Sequence, residues 1–535
     1  MTTRRTFLTS SAGWLLASSS AARAESTARG LLTGHPEAAE AGNAVLAAGG
    51  NAVDAIVAGA LVAGVVALPA TGIGGYGGHL VLASPKLKPI AIDFNTTAPA
   101  AAKPDMFKAE EQGKVAGGAN SHGWLAAGVP GVLAGLQLAL DKFGTKPFAD
   151  LLKPAIKFAS DGFPIKKNIA ASFKAAAGQF AKDAGAAKLF LKSGEPLAEG
   201  DTFRNPDLAR LLERLAEKGV ADFYTGKTAE AVAAAFKKNG GLVTVADFAA
   251  YRALEVTPLA LDWCGHTIHT PPPTSGSLTV LQALATLKAL EWEKKDPKEP
   301  ATTQFRLEAL RVAWRDRLRS LGDPKHFDVP IAELISEKHA QRTALKVWDA
   351  VRSGKPIAGV SDCRPAGGTI HLCAVDKDGL SVALTFTHGE SFGAQVAVDG
   401  LGLVLGHGIS RFDPRPGRAN SIGPGKKPLH NMCPTIVMKG DKRLLALGAT
   451  GGRRIPNTLF DVLSYRIGQG KPLAEAVKAP RIHTEGDLNL TLEAAWPAAT
   501  VDHLKTVGYT VKTGGAATLN AIEREPDGKL TAAAR

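Results

Sequence analysis

Gly367-Gly368-Thr369-Ile370-His371-Leu372 puts a hydroxyl nucleophile directly after two glycines, at the head of a strand-like run. A chain cut before Thr369 would expose that threonine as a new N-terminus. Its free α-amino group, with a reference pKa of roughly 7.7–8.0, could then take the proton from its own hydroxyl near neutral pH. Taken alone, the six residues also describe a glycine turn entering an ordinary strand. The alternating run Ser381 to Thr387 supplies a second strand close by, and Gly451-Gly452 opens a helix further on.

Around these residues the chain divides into recognisable pieces. Residues 42–68 are helix-rich, with a Gly49-Gly50 break, and their apolar part from Ala55 to Leu68 falls short of the ~20 residues that span a bilayer. A buried core helix is expected there. Thr71-Gly72-Ile73-Gly74-Gly75-Tyr76-Gly77-Gly78-His79 reads as a loop before a strand at Leu80-Val81-Leu82. It follows a helix and precedes a strand, the reverse of a dinucleotide-binding turn, so close packing under an active site is the expectation. Residues 131–260 read mainly as helices and 256–270 as strands. Pro271-Pro272-Pro273-Thr274-Ser275-Gly276 is a rigid turn, helices resume to about Leu321, and a Gly/Pro-bearing linker follows the helix after residue 335. From Thr369 the order is strand, strand, loop, strand, strand, helix.

The 535-residue length is compatible with about three domains or with one large layered structure. Thr3-Arg4-Arg5-Thr6-Phe7-Leu8, an apolar run through Trp14-Leu15-Leu16 and Ala22-Arg23-Ala24 form a twin-arginine signal with a cleavage site after Ala24. Residues 1–24 are therefore set aside from the fold, and a periplasmic mature protein is expected. Removing three arginines leaves 60 basic against 50 acidic residues, a net +10. The basic residues are scattered, which argues against nucleic-acid binding and for a solvated basic surface or an anionic substrate. Cys264, Cys363, Cys373 and Cys433 lack metal-ligand spacing, no metal or other cofactor is expected, and Cys373 reads as a buried thiol.

Several further pieces occur in a fixed order: Gly49-Gly50-Asn51-Ala52-Val53-Asp54-Ala55, Thr71-Gly72-Ile73-Gly74-Gly75, Asp93-Phe94 with Thr97-Ala98-Pro99, Val129-Pro130-Gly131, Pro434-Thr435-Ile436-Val437, Gly451-Gly452-Arg453-Arg454-Ile455 and Ala479-Pro480-Arg481. Together with the proline turn and Gly368-Thr369, the set resembles the γ-glutamyltranspeptidase family of N-terminal nucleophile hydrolases over almost the whole mature chain. The resemblance implies a four-layer αββα sandwich, made as a precursor and cut between Gly368 and Thr369. A large subunit of residues 25–368 and a small one of residues 369–535 would remain together as a heterodimer. It also implies that Thr369 is the nucleophile, that Thr387 holds its hydroxyl, and that the backbone N–H groups of Gly451 and Gly452 receive the oxyanion.

The expected substrate pocket departs from the family pattern. Asn95 stands where an arginine grips the substrate carboxylate, Gly389 replaces an asparagine, and His430-Asn431 replace two serines. Arg411 falls where an acid binds the substrate ammonium, with Asp413 a nearby alternative, and Ile370 replaces a threonine. The connection from Phe412 to Lys427 is short for a lid. Arg411, His388, His407 and His430 are expected around the cleft. A γ-glutamyl group carries both an ammonium and a carboxylate, and each needs a partner once desolvated. Three functions remain: a γ-glutamyl hydrolase or transferase of the glutathione type, an amidohydrolase for another carboxylate-bearing acyl group, and an exported binding protein that never processes. The retained Thr369, Thr387, Gly451 and Gly452 disfavour the last.

Overall fold

The computed structural model describes residues 29–110, 113–359, 368–440 and 443–535. The expected signal segment, Cys363 and Gly367 lie outside the described residues. Twelve strands build two sheets. In chain order they are β1 (Gly30–Thr33), β2 (Gly77–Ser84), β3 (Leu87–Asp93), β4 (Leu254–Val256), β5 (Leu259–Trp263), β6 (His266–Thr270), β7 (Ile370–Asp376), β8 (Ser381–Thr387), β9 (Thr435–Lys439), β10 (Arg443–Thr450), β11 (Thr518–Arg524) and β12 (Leu530–Ala534). The first sheet runs β1-β7-β8-β2-β3-β4 and the second β12-β11-β10-β9-β6-β5, antiparallel throughout.

Strand alternation assigns each residue its layer. On β7, Leu372 and Ala374 join the core under the outer helices, whereas Cys373 and Val375 pack between the sheets against Ile436, Leu444, Ala446 and Ile522. Helices Pro36–Ala47, Ala52–Val66 and Val132–Phe143 cover the first sheet. Helices Ser277–Ala289 and Arg454–Leu463 cover the second, with Pro300–Ser320 packed on Ser277–Ala289. The result is the expected αββα sandwich.

Helix Ala52–Val66 is buried on every side, which explains its uniform apolarity. Asn51 caps it by accepting from the N–H groups of Val53 and Asp54, while Asp54 accepts from the N–H of Asn51. Among the described residues no helix is long and apolar enough to cross a membrane.

Strand β2 begins at Gly77, three residues earlier than the sequence suggests. Gly78 pairs with Phe386, and a Cβ on it would stand 2.2 Å from the Thr385 carbonyl oxygen. A Cβ on Gly77 would stand 2.1 Å from the Phe94 carbonyl oxygen. Gly77 and Gly78, read as loop, are strand residues under close backbone approach, while Gly72, Gly74 and Gly75 remain in a loop.

Strands β7 and β8 lie between β1 and β2, and β6 pairs with β9, so residues before and after 368 share both sheets. Buried charge joins them again. Arg306, on helix Pro300–Ser320, donates to Asp461 and, at 2.6 Å, to the Tyr465 hydroxyl, both in the C-terminal part. Burial alone would raise the Asp461 carboxyl strongly, and Arg306 opposes that rise. Arg306→Met strands the Asp461 carboxylate in the core and is expected to cost about 3–5 kcal/mol. A thermal melt checks it; an unchanged Tm would show that Asp461 finds another partner.

Candidate active site

Thr369 immediately precedes β7, and the β7–β8 register, with Ile370 opposite Phe386, sets it across from Thr387, the last residue of β8. The carbonyl oxygen of Gly368 lies between them. It accepts from the Thr369 hydroxyl at 2.5 Å and from the Thr387 hydroxyl at 2.6 Å. Thr387 Oγ1 in turn accepts from the Gly389 N–H at 2.7 Å, which leaves its proton directed at Gly368. Both threonines are buried, with Thr369 at 3% exposure. The carbonyl before Thr369 is thus polarised by one hydroxyl while a second lies beside it.

The turn that delivers the Gly389 N–H is fastened at both ends. His388 N–H donates to the Ala70 carbonyl and Phe392 N–H to the Pro69 carbonyl, each at 2.9 Å. The Phe392 ring sits 5.0–5.2 Å from Phe173, Phe180 and Phe190, in an aromatic cluster with helices Lys167–Phe180 and Ala184–Phe190. Gly389 has φ +105°, and a Cβ there would fall 2.0 Å from the His407 ring. Glycine is required because the imidazole occupies the space.

His407 links this turn to Arg411. Its Nε2 accepts from the Glu390 N–H and from Arg411 Nη2, both at 2.7 Å, and its Nδ1 donates to the Ser121 carbonyl at 3.0 Å. An Nε2 that accepts twice carries no proton, so the ring is neutral. Burial, reinforced by Arg411, holds its pKa well below the ordinary histidine value. Burial likewise raises the Glu390 carboxyl, and Arg411 opposes that rise.

Beneath the two threonines a polar row crosses the first sheet on its inter-sheet face. His371, Thr385, His79 and Asp93 occupy matching positions on β7, β8, β2 and β3. His371 Nδ1 lies 2.7 Å from Thr385 Oγ1, and its Nε2 lies 2.9 Å from Cys373 Sγ. His79 Nε2 is 3.4 Å from Asp93 Oδ1, while Asp93 Oδ2 accepts from Lys427 Nζ at 2.7 Å. Burial alone would raise the Asp93 carboxyl, but Lys427 and His79 hold it below the ordinary value. On the facing sheet, a Cβ on Gly448 would lie 2.2 Å from the His371 ring. That contact puts the end of β10, and with it Gly451 and Gly452 at φ +144° and +62°, at the same end of the sandwich as Thr369.

The expected pocket residues separate into two groups. Asn95 is fully buried, and its amide donates to Thr274 Oγ1 at 3.0 Å and to the Pro428 carbonyl at 2.8 Å. His430 is also buried; its Nδ1 accepts from the Met432 N–H at 3.2 Å, and its ring lies 4.8 Å from that of His79. These two brace the floor. His388 is buried as well. Arg411, Asp413 and Asn431 line a cavity of about 290 Å³. The Asp413 carboxylate is gripped bidentately by Arg415, at 2.7 and 2.8 Å. The segment after Phe412 folds back on itself, with a bridge between Asp413 and Ser421 and Asn420 donating to the Arg411 carbonyl at 2.7 Å. Cys264, Cys373 and Cys433 are free thiols.

The roles of the Gly389 N–H, of Glu390 and of the His407 bridge were not anticipated from the sequence. Gly389 was read there as a lost polar side chain, and only the position of His407 reveals why a glycine is needed.

The sequence from 38 to 535 matches the family described as gamma-glutamyltranspeptidase. The chain belongs to that family. It is 36% identical over 514 residues to a glutathione hydrolase proenzyme of Escherichia coli K12, covering 92% of this chain and 87% of that one. It is also 36% identical over 521 residues to the acylase ACY 1 proenzyme of Pseudomonas sp. SE83, covering 95% and 92%. The crystal structure of a cephalosporin acylase from Bacillus halodurans superposes with a TM-score of 0.85 at 25% identity, covering 94% of this chain and 93% of the other. As a member of the γ-glutamyltranspeptidase family the chain is an autoprocessing amidohydrolase or acyltransferase of the N-terminal nucleophile type.

The buried imidazoles make stability depend on pH. Burial lowers His371 to about 3 and His79 to about 4. In the unfolded chain both titrate near the reference value of about 6.5, so below that pH the unfolded state binds more protons. Their contribution is complete above about pH 6.5 and is lost as pH falls toward about 4. A Tm series across that interval should decline before most carboxylates titrate, and His371→Asn should flatten the decline. A level Tm down to about pH 5 would contradict this.

Proposed function

We propose that Thr369 cleaves its own precursor and then serves as the nucleophile of amide hydrolysis. The observation that carries this reading is the Gly368 carbonyl oxygen held between the hydroxyls of Thr369 and Thr387. In the first reaction Thr369 Oγ1 adds to the Gly368 carbonyl carbon, and the Thr387 hydroxyl stabilises the developing oxyanion. The C–N bond breaks, the amine takes a proton, and an ester joins Gly368 to Thr369 Oγ1. Water hydrolyses the ester, leaving a Gly368 carboxylate and a free Thr369 α-amine. Because β7 and β8 lie between β1 and β2, the subunits of residues 25–368 and 369–535 stay together as a heterodimer.

In the second reaction the α-amine takes the hydroxyl proton as Oγ1 attacks a substrate amide, and returns it to the departing amine. The N–H groups of Gly451 and Gly452, between β10 and helix Arg454–Leu463, are the oxyanion donors. Water or a second amine then takes the acyl group from the threonine. The twin arginines Arg4 and Arg5 direct the chain to the periplasm before residues 1–24 are removed.

A glutathione-type γ-glutamyl donor is the family's ordinary acyl group. The pocket favours a carboxylate-bearing acyl group without an ammonium, because Arg411 lines the cavity and Asp413 is engaged by Arg415. Asn431 lines that cavity, and with Asn95 and His430 buried and no side chain at Gly389, no zwitterion clamp of the family type is reproduced.

A denaturing gel with N-terminal sequencing tests the processing. The small band should begin at Thr369 and the large one at Glu25; Thr369→Ala should stay uncut, and Thr387→Val should cut about 10²–10³-fold more slowly. A small band beginning elsewhere, or normal cutting by Thr369→Ala, would overturn the assignment. Kinetics on matched anilides test the acyl group: kcat/KM should favour glutaryl over γ-glutamyl by about 10- to 100-fold. Preference for the γ-glutamyl compound would return the enzyme to glutathione-type substrates.

A further inference from the structure

Gly451 and Gly452 are consecutive glycines at φ +144° and +62°, and no side chain of their own limits how their peptide planes turn. Their carbonyls accept from the N–H groups of Arg454 and Ile455, at 3.2 and 3.1 Å. Their own N–H groups donate to nothing among the described residues. The direction of those N–H groups is therefore set by the residues on either side. Upstream, Thr450 is fixed in β10 opposite Thr518 of β11. Downstream stands Arg453, whose side chain ends a line of polar contacts that neither reaction of Thr369 uses directly.

The line begins at Trp314, in the wall of the cavity. Trp314 Nε1 can only donate, and it gives its hydrogen to Asn457 Oδ1 at 2.6 Å, which decides the way the Asn457 amide faces. The amide nitrogen then donates to the Thr484 carbonyl at 2.7 Å and to His483 Nδ1 at 3.0 Å. A His483 Nδ1 that accepts leaves the ring proton on Nε2, which donates to Glu485 Oε1 at 3.2 Å. Glu485 Oε2 forms an ion pair with Arg453 Nε at 2.7 Å. The Arg453 guanidinium carbon also lies 5.4 Å from the centre of the Trp314 ring, so the line closes on itself. Burial would raise the Glu485 carboxyl, but His483 and Arg453 hold it below the ordinary value.

We infer that Glu485 and His483 are positioning residues: they hold the Arg453 side chain against Trp314 and so fix the peptide planes that aim the Gly451 and Gly452 N–H groups at the substrate oxyanion. This rests on the assignment of those two N–H groups to amide hydrolysis. In self-cleavage the oxyanion forms on Gly368, where the Thr387 hydroxyl meets it. The two reactions thus differ in their donors, and the Arg453–Glu485 pair serves only the second.

The test separates the two rates in the full chain. Glu485→Gln removes the charge and keeps the volume, at a half-buried position outside the cavity lining. This variant should cut into its two bands at the wild-type rate. The substrate is whichever of the glutaryl and γ-glutamyl anilides the wild type hydrolyses faster. On it kcat should fall about tenfold, a part of the roughly 10²–10³-fold that losing one oxyanion donor costs, with KM changed by less than about twofold. Gly451→Ala disturbs the same loop directly, because its Cβ would stand 2.9 Å from that of Ala517, and should lower kcat at least as far. A kcat lowered by Gly451→Ala but unchanged in Glu485→Gln would overturn the positioning role alone. So would a loss confined to KM, an equal slowing of cutting and turnover, or a Glu485→Gln chain that stays uncut, since the pair would then serve binding or the fold as a whole. An unchanged kcat in both variants would overturn the oxyanion assignment of Gly451 and Gly452 as well. A wild-type chain that never cuts would overturn the Thr369 reading instead.

Discussion

The antiparallel register of β7 with β8 is the constraint on which the rest of the site depends. Ile370 opposite Phe386 sets Thr369 across from Thr387 and His371 across from Thr385. A one-residue slip of β7 against β8 would turn Thr369 and His371 toward the helices and bring Leu372 between the sheets. Apolar residues deeper in the same strands prevent it. Cys373, Val375 and Ala383 pack against Ile436, Leu444 and Ala446 on one face, while Leu372, Ala374 and Leu384 fill the helix-covered core on the other. Hydrophobic alternation over a few residues therefore sets hydroxyl positions that chemistry needs to within a few tenths of an ångström.

The inter-sheet layer changes character along its length. At one end it is a dry core, and at the other it holds histidines, threonines and the Asp93–Lys427 pair. Burying so many polar groups is costly unless they pair, and most of these do, with one another or with backbone. The neutral imidazoles suit that setting because each can donate at one nitrogen and accept at the other without carrying charge. His407 shows the consequence: it accepts from Arg411 and from Glu390 N–H, so a guanidinium stands close to the turn after Thr387 without a second positive charge beside it.

Much of this was legible in the sequence. Ordered glycine and proline motifs, together with the run from Gly368 to Thr387, indicated the sandwich and the strand pair that bears the threonines. Close-packed glycines were harder to read, because Gly77 and Gly78 look like a loop until Phe94 and Thr385 are seen against them. The pocket was read less well than the strands. Asn95 and His430 were expected to face a ligand, yet both are buried and hydrogen-bonded within the floor. Side-chain direction in a loop follows from packing partners far away in sequence, and no local periodicity reports it.

Gly389, His407 and Arg411 belong together physically. The His407 ring takes the volume that a side chain at 389 would need, and the same ring presents Nε2 to Arg411. A side chain restored at position 389 would therefore strike His407, and moving His407 would release Arg411 from its contact. The charge of this site is consequently not a property of one residue that substitution could reverse in isolation. Arg411→Asp alone would place a carboxylate against an imidazole nitrogen that has no proton to give, and the ring would have to change tautomer or gain a proton to receive it. The placement of the Arg411 guanidinium and the shape of the turn that holds Thr387 are set by the same three positions, Gly389, His407 and Arg411.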